Sequence, residues 1–303
     1  MTAALIGFGE VGTLFARDLQ EAGSSRIAVY DIAFERADSP QLKRATAFGG
    51  LDVCPSAAAA AGDAEIVFVA VTAGNTLAAL GSLAGALGHA PFVVDVNSVS
   101  PATKQEGAAL VEAQGGRYVE AAVMSAVPAR GIRTPMLLGG PHAAAFAARM
   151  QPFDMALTVY AETIGKASAV KMCRSVIVKG MEALVTECLL TARRHHVERD
   201  VLQSLADMLP HPNWERQCRY FISRTLQHGR RRAEEMREVA RTVADAGFEP
   251  LMSRAIAERQ DRSADRAAAM TAEDLGAESL ARLLDALMLV SPSPPARGGR
   301  GSG

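Results

Sequence analysis

Ala3-Ala4-Leu5-Ile6-Gly7-Phe8-Gly9-Glu10-Val11-Gly12 is the stretch on which the fold turns. Ala3–Ile6 is a short apolar run that reads as a buried strand, and Val11–Leu19 carries apolar residues at helical spacing. Between them lies a G-x-G-x-x-G turn. Gly7 makes the tight turn, Gly9 lets backbone approach a pyrophosphate, and Gly12 lets the helix pack close to the strand. Phosphates then sit on the helix N-terminus, where N–H groups and the dipole favour negative charge. Gly7, Phe8, Gly9, Glu10, Val11 and Gly12 are therefore read as a cofactor-binding turn. Asp31 closes the next strand-like run, Arg26–Tyr30, at the distance where an acidic residue holds the ribose hydroxyls of a dinucleotide. A carboxylate there accepts from the 2′-OH of NAD and repels the 2′-phosphate of NADP. Arg36 and Arg44 are close enough in sequence to read that phosphate, so the cofactor is NAD or NADP, with NAD favoured.

Working outward, strand-like runs recur at Ile66–Val71, Phe92–Asp95, Arg117–Ala121, Met136–Gly139 and Leu157–Ala161, with a short one near Leu51–Cys54. Ala-rich segments at helical spacing, Asn75–Leu87 and Ala102–Ala113, separate several of them. Strands alternating with helices imply a parallel sheet covered on both faces, so residues 1–164 read as a doubly wound Rossmann domain. Thr72 and Asn97 follow two of these strands and are candidates to line the crevice at the carboxyl edge. Each could equally be an ordinary turn residue.

From Gly165 onward Ala, Leu, Met, Glu and Arg dominate. Lys166–His196 reads as one long helix or two stacked ones, and Arg216–Ala246, Met252–Arg259 and Leu275–Leu289 continue the helical pattern past Pro210 and Pro212. Residues 165–290 therefore read as an all-α domain for substrate and dimerisation. The tail Ser291–Gly303 holds only Pro, Gly, Ser, Ala and Arg and is expected to be disordered.

The 303 residues carry a formal net charge of −1, with 49% hydrophobic and 21% charged residues. That is globular composition without a basic field for nucleic acid. No apolar run is long enough to span a membrane, and the N-terminus lacks a basic signal region, so a cytoplasmic protein is expected. Cys54, Cys173, Cys188 and Cys218 are far apart, without metal-ligand spacing, and read as reduced, half-buried thiols. His195-His196 has no third ligand at useful spacing, so no metal is expected. The acidic first part and mildly basic second part hint at an anionic small substrate.

Lys171, Ser175 and Glu182 fall on one face of the long helix. Such a stripe is either an ion-paired face or a catalytic one, because Lys and Glu are rarely buried without a partner or a task. Desolvation and the positive charge of an oxidised nicotinamide would bring the lysine into working range for proton transfer. On Arg216–Ala246, Leu226, Ala233, Met236, Ala240 and Val243 form an apolar stripe, while Arg224, His228, Arg231 and Glu235 cluster opposite. The second face is either solvated or an anion reader using guanidinium contacts.

The glycine fingerprint, the segment Gly165-Lys166-Ala167-Ser168-Ala169-Val170-Lys171 and the all-helical second half resemble the 6-phosphogluconate dehydrogenase and β-hydroxyacid dehydrogenase superfamily. The resemblance spans roughly residues 1–290. It implies that Lys171 is the catalytic general acid/base, that Glu120–Pro128 is the substrate loop with Ser125 in it, and that Gly139-Gly140 are the paired glycines that follow. Where the family has Ser-Gly-Gly this chain has Met124-Ser125-Ala126, and where it has paired Asn after the lysine this chain has Arg174 and Ser175. His228–Met236 and Lys179–Leu184 are similar to a branch whose C-terminal domain is described as phosphogluconate-dehydrogenase-like. The resemblance also implies a homodimer formed through the helical half.

The resulting expectation is an NAD(P)-dependent dehydrogenase acting on the CH–OH of a small anionic hydroxy acid, or on its carbonyl counterpart. Substrate would be bound by Ser125, Ser175, His228 and Arg231. An imine reductase on the same scaffold, or a dinucleotide sensor without catalysis, are the rivals. The family lysine counts against the first and a polar stripe on a central helix against the second.

Overall fold

β1 (Thr2–Ile6) leads into α1 (Glu10–Glu21) and then β2 (Arg26–Tyr30), in a computed structural model that describes residues 1–209 and 211–290. The chain continues through α2 (Pro40–Phe48), β3 (Asp52–Val53), α3 (Ala57–Ala61), β4 (Ile66–Val69), α4 (Thr76–Gly81), β5 (Phe92–Asp95) and α5 (Pro101–Glu112). It then forms β6 (Arg117–Val123), β7 (Met136–Gly139), α6 (Ala143–Arg149) and β8 (Leu157–Ala161). Helices follow without a further strand: α7 (Lys166–Arg194), α8 (Glu198–Met208), α9 (Trp214–Asp245), α10 (Leu251–Ala268), α11 (Ala272–Leu275) and α12 (Leu280–Leu289).

The eight strands form one sheet in the order β3-β2-β1-β4-β5-β6-β7-β8. All neighbours are parallel except β6 and β7, which pair antiparallel from Glu120↔Gly139 to Val123↔Met136. The chain winds outward from β1 through β2 to β3, then restarts at β4 on the other side of β1. The switch point therefore falls between the carboxyl ends of β1 and β4, where a doubly wound sheet opens its ligand crevice. β4 and β5 are buried at every residue, as strands covered on both faces must be. One apolar layer contains Phe8, Phe15, Phe68 and Phe146, and the other Leu80, Leu87, Val111 and Tyr118.

Two compact units result. One comprises Met1–Arg174 with Arg241–Phe248, and the other Ser175–Ala240 with the described residues from Glu249 onward. The second is built on Leu189, Cys218, Ile222, Leu226, Leu283 and Leu287.

Several elements differ from the sequence expectation. α4 ends at Gly81 rather than reaching Leu87; the chain continues in turns from Ser82, among them Gly85 at φ +80°, a conformation a continuing helix could not hold. Leu83 and Leu87 are still fully buried, so the apolar spacing serves the core without a helix. The long helix is single and ends at Arg194, where His196 at φ +58° turns the chain into α8, an element not anticipated. α10 extends to Ala268. Leu275–Leu289 is broken at Gly276, with Thr271 and Asp274 forming a capping box on α11 and Ser279 capping α12. The cysteines are free but not uniformly half-buried: Cys173 and Cys188 are exposed and Cys218 is buried, its thiol pushed up to about 11. The tail from Ser291, expected to be disordered, lies outside the described residues.

Candidate active site

The glycine turn is fixed by sterics at two positions and open at a third. Gly7 sits at φ +97°, and a Cβ there would lie 2.3 Å from the Ala70 carbonyl oxygen. A Cβ on Gly12 would lie 2.0 Å from the Gly7 carbonyl oxygen, so α1 can approach β1 only through glycine. Around Gly9, by contrast, a Cβ would meet nothing within 4 Å. Gly9 is also the N-cap of α1 and brings no side chain to its first turn. Open space facing a helix N-terminus fits a pyrophosphate.

Asp31 stands beside this turn. Its Oδ2 accepts from the Phe8 N–H at 2.7 Å and its Oδ1 from the Ala33 N–H at 2.8 Å. Each carboxylate oxygen keeps a lone pair, enough for two ribose hydroxyls. Phe8 itself points into the core against Phe34 and Phe48, so it contributes backbone only. Val11 packs on the core and Glu10 is exposed at the start of α1. Arg44 reaches Thr13 Oγ1 on α1 at 3.5 Å, while Arg36 is exposed.

At the ends of β4 and β5, Thr72 is exposed and accepts from Asn75 Nδ2 at 3.0 Å. Asn97 is buried. Its Oδ1 accepts from the Val71 N–H at 2.8 Å, and its N–H donates to Asp95 Oδ1 at 2.9 Å. Its Nδ2 is buried with no partner among the described residues. An unpaired buried amide costs free energy unless something fills it, and a dinucleotide carboxamide or ribose oxygen would. Behind Asn97, Asp95 Oδ2 takes hydrogen bonds from the Tyr118 hydroxyl at 2.8 Å and Lys104 Nζ at 3.0 Å. Lys104 Nζ also donates to the Asp95 carbonyl at 2.8 Å. Burial, then the neighbouring Asp95 carboxylate, pushes the Tyr118 phenol well above its usual range, so it stays a donor.

The lysine candidate rides on a helix held by Glu120, a residue the resemblance placed at the start of the substrate loop and the structure places within β6. Glu120 is fully buried in β6, and its carboxylate accepts from the Gly165 N–H at 2.7 Å and the Ser168 N–H at 2.5 Å. It thereby caps the first turn of α7 with a full negative charge. Gly139 on β7 makes the room, since a Cβ there would lie 2.4 Å from Glu120 Oε2. Lys171 follows one turn later, half-buried. Arg174 donates to the Met124 carbonyl at 2.5 Å, which ties the loop carrying Ser125 to α7 just past Lys171. A glutamate among the small apolar residues of Arg117–Val123 was the available signal, because a carboxylate in a buried strand must be paired.

In the second unit the polar residues of α7 and α9 are paired across helices. Glu182 is ion-paired with Arg232, and Lys179 with Glu235, which also takes Arg231 at 3.4 Å. Burial raises the Glu182 carboxyl, and Arg232 opposes that shift. Glu182 is thus part of an internal ion pair, and Ser175 is buried in the same unit. Arg224 and His228 are partly buried and make no side-chain hydrogen bond among the described residues, while Arg231 stays exposed. Burial, then Arg224, Arg231 and Arg232, lowers His228 to about 4. His228 is therefore neutral near pH 7 and acts as a hydrogen-bonding ring beside cations. Among the described residues no group of His, Cys, Asp and Glu is arranged to hold a metal ion, and no helix is long and apolar enough to cross a membrane.

Comparison with known proteins agrees with this geometry. Residues 2–165 match the family model of the NAD binding domain of 6-phosphogluconate dehydrogenase, and residues 192–263 match a domain of unknown function, DUF1932. A conserved hypothetical protein from Sinorhizobium meliloti 1021 is 34% identical with a TM-score of 0.71, covering 96% of this chain and 97% of its own. Two further structures share the fold at low identity. Mycobacterium tuberculosis 3-hydroxyisobutyrate dehydrogenase is 18% identical with a TM-score of 0.62, covering 88% and 94%. A Streptomyces aurantiacus imine reductase is 20% identical with a TM-score of 0.52, covering 94% and 99%. The first unit is thus an NAD(P)-binding domain in a hydroxyacid-dehydrogenase-like fold.

Proposed function

This chain belongs to the family of the NAD-binding domain of 6-phosphogluconate dehydrogenase, and from that we propose that it is an NAD(P)-dependent oxidoreductase acting on the CH–OH of a small anionic hydroxy acid, or on its carbonyl counterpart. The carrying observation is the placement of Lys171. It rides on a helix whose first turn is locked by buried Glu120 and whose next turn holds the Ser125 loop through Arg174.

Gly7–Gly12 and Asp31 would hold the phosphates and adenosine ribose of the cofactor, and Asn97 Nδ2 would be available to donate to it. When bound, the nicotinamide would supply the hydride acceptor or donor. Lys171 Nζ, as the free amine, takes the hydroxyl proton while the carbon loses its hydride; in reduction the ammonium returns that proton to the carbonyl oxygen. Ser125 orients the substrate. Within the second unit, Arg231 offers charge and neutral His228 a hydrogen-bonding ring, the chemistry an anionic group calls for. Asp31 favours NAD over NADP.

The protein works as a homodimer in this reading. α7 leaves Ile177 65% and Leu184 59% exposed, with Val178 and Met181 beside them, an apolar stripe that a second copy would cover. Light scattering at micromolar concentration should return twice 31.9 kDa; a value of 31.9 kDa would remove this part of the reading.

The test of the function is a screen of hydroxy acids, phosphorylated and not, and of cyclic imines, with both cofactors, followed by Lys171→Met on the substrate found. That variant should fold and bind NADH normally. Its turnover should fall at least ~100-fold, the range of a general acid/base. Turnover of imines alone would replace the hydroxy-acid assignment with the reductase one. Near-normal turnover by the variant would remove Lys171 from the chemistry.

A further inference from the structure

The second unit contains a cavity of about 50 Å3 on the side of α9 away from His228. Leu190 of α7, Leu226 of α9 and Leu287 of α12 form its apolar walls, and α10 supplies Arg259, Arg262, Arg266 and the hydroxyl of Ser263. Spacing of three and four residues brings the three guanidinium groups onto one face of α10.

Their counter-charges are on the outside. Arg259 pairs with Glu187 and Arg262 with Glu258, and those carboxylates are 66% and 60% exposed. Each arginine has five donors, so one carboxylate leaves most of them unused. Arg266 makes no side-chain hydrogen bond or ion pair among the described residues. Burial, followed by the charges of Arg259 and Arg262, works against its own charge. Among the described residues the cavity lining therefore presents cations, the hydroxyls of Thr186 and Ser263, and hydrocarbon, with no carboxylate in it.

We infer that the cavity binds a small oxyanion, a carboxylate or a phosphate group, at a site separate from the cofactor turn and from Lys171. A cavity needs roughly 10–15 Å3 to hold one water. About 50 Å3 thus takes a few waters or one oxyanion with a short tail, and excludes a nucleotide. Planar guanidinium forks match the paired oxygens of such a group, and the leucine walls strengthen the contact by excluding water. A single bound anion would satisfy Arg266 and relieve the repulsion among the three cations. The same group could come from a free inorganic ion or from the acid group of a small metabolite, and two probes separate these sources.

The test follows melting temperature against inorganic phosphate and against propionate, each at ionic strength held constant with chloride. The intact protein should show a saturable rise with at least one probe. Response to phosphate alone points to a phosphate-bearing ligand, and response to propionate to a carboxylate. Arg266→Met should lose the rise while melting no lower than the wild type in chloride, because an opposed charge has been removed. Should Arg266→Met fail to fold, Arg262→Gln serves in its place with the same expectation. Absence of a saturable rise with either probe, or an equal rise in the variant, would overturn the inference. Neither readout involves the cofactor or turnover, so failure here leaves the hydride-transfer reading untouched, and the reverse also holds.

Discussion

Both units pair buried charges, as Glu182 and Arg232 do in the helical one, but only the helical unit also leaves partly buried basic groups without a side-chain hydrogen bond among the described residues. In the α/β unit, Asp95, Lys104, Tyr118 and Glu120 are fully buried, and every one of them is met by a partner within hydrogen-bond distance. In the helical unit, Arg224, His228 and Arg266 are partly buried beside like charges and lack side-chain hydrogen bonds among the described residues. The first arrangement is framework: each charge fixes a strand end or a helix start. The second leaves side-chain donors unused among the described residues. A closed network is expensive to break, whereas an open one gains from binding.

That contrast is most exposed to attack at Lys104. Lys104→Met removes one member of a fully buried pair and strands Asp95, so unfolding free energy should drop by about 3–5 kcal/mol. Urea denaturation measures it, and a loss below ~1 kcal/mol would mean that the network is not framework at all. Next in size is the turnover loss of at least ~100-fold in Lys171→Met, with melting temperature unchanged. If stability fell along with rate, Lys171 would belong with the closed network instead.

Cofactor choice comes third. Fluorescence titration should show NADH binding more tightly than NADPH because of Asp31. Preference for NADPH by tenfold, ~1.4 kcal/mol, would hand the role to Arg44 or Arg36. Smaller still is the effect of Arg224→Met. In the helical unit it should change stability by no more than about 0.5 kcal/mol, or raise it, since no hydrogen bond is lost. A large destabilisation would make this unit framework too.

The last prediction is a slope. His228 titrates near 4 when folded and near 6.5 when unfolded. Between those values the unfolded chain binds more protons, so the contribution of His228 is full above pH 6.5 and is lost as pH falls toward 4. Urea midpoints at pH 7 and pH 5 should lie closer together in His228→Gln than in the wild type. Equal spacing would show that the ring takes up its proton as readily in the fold as in the unfolded chain.

Local rules made the first unit readable. Gly7 and Gly12 announce a turn whose geometry only glycine permits, and alternation of short strands with helices leaves few topologies. Asp31, at a fixed offset from the glycines, was legible as a residue of the glycine turn, whose Phe8 N–H it holds. Glu120 had no such offset: its partners, Gly165 and Ser168, are forty-five and forty-eight residues away, and only the antiparallel turn of β7 onto β6 brings them together. The helical unit was less legible for a related reason. Periodicity separates a buried face from the rest of α9, but does not say which cations on that second face find carboxylates on α7 or α10. Glu182 looked like part of a catalytic stripe until Arg232 supplied its partner across the helices.

Asp31 carries one more consequence, for how this protein can change over generations. Its carboxylate holds the Phe8 and Ala33 N–H groups, and in the proposed reading it also receives the ribose hydroxyls. A lineage drifting toward NADP would first replace Asp31, and that step would also unpin the glycine turn and the segment after β2. Cofactor preference is thereby coupled to integrity of the domain. The accessible route runs through Asn or Ser at this position, which retain an acceptor for one of the two amides, with a cation recruited at Arg36 or Arg44 only afterwards. Asp31→Ala taken alone would leave both amides without an acceptor, so the obvious one-step path is the least passable.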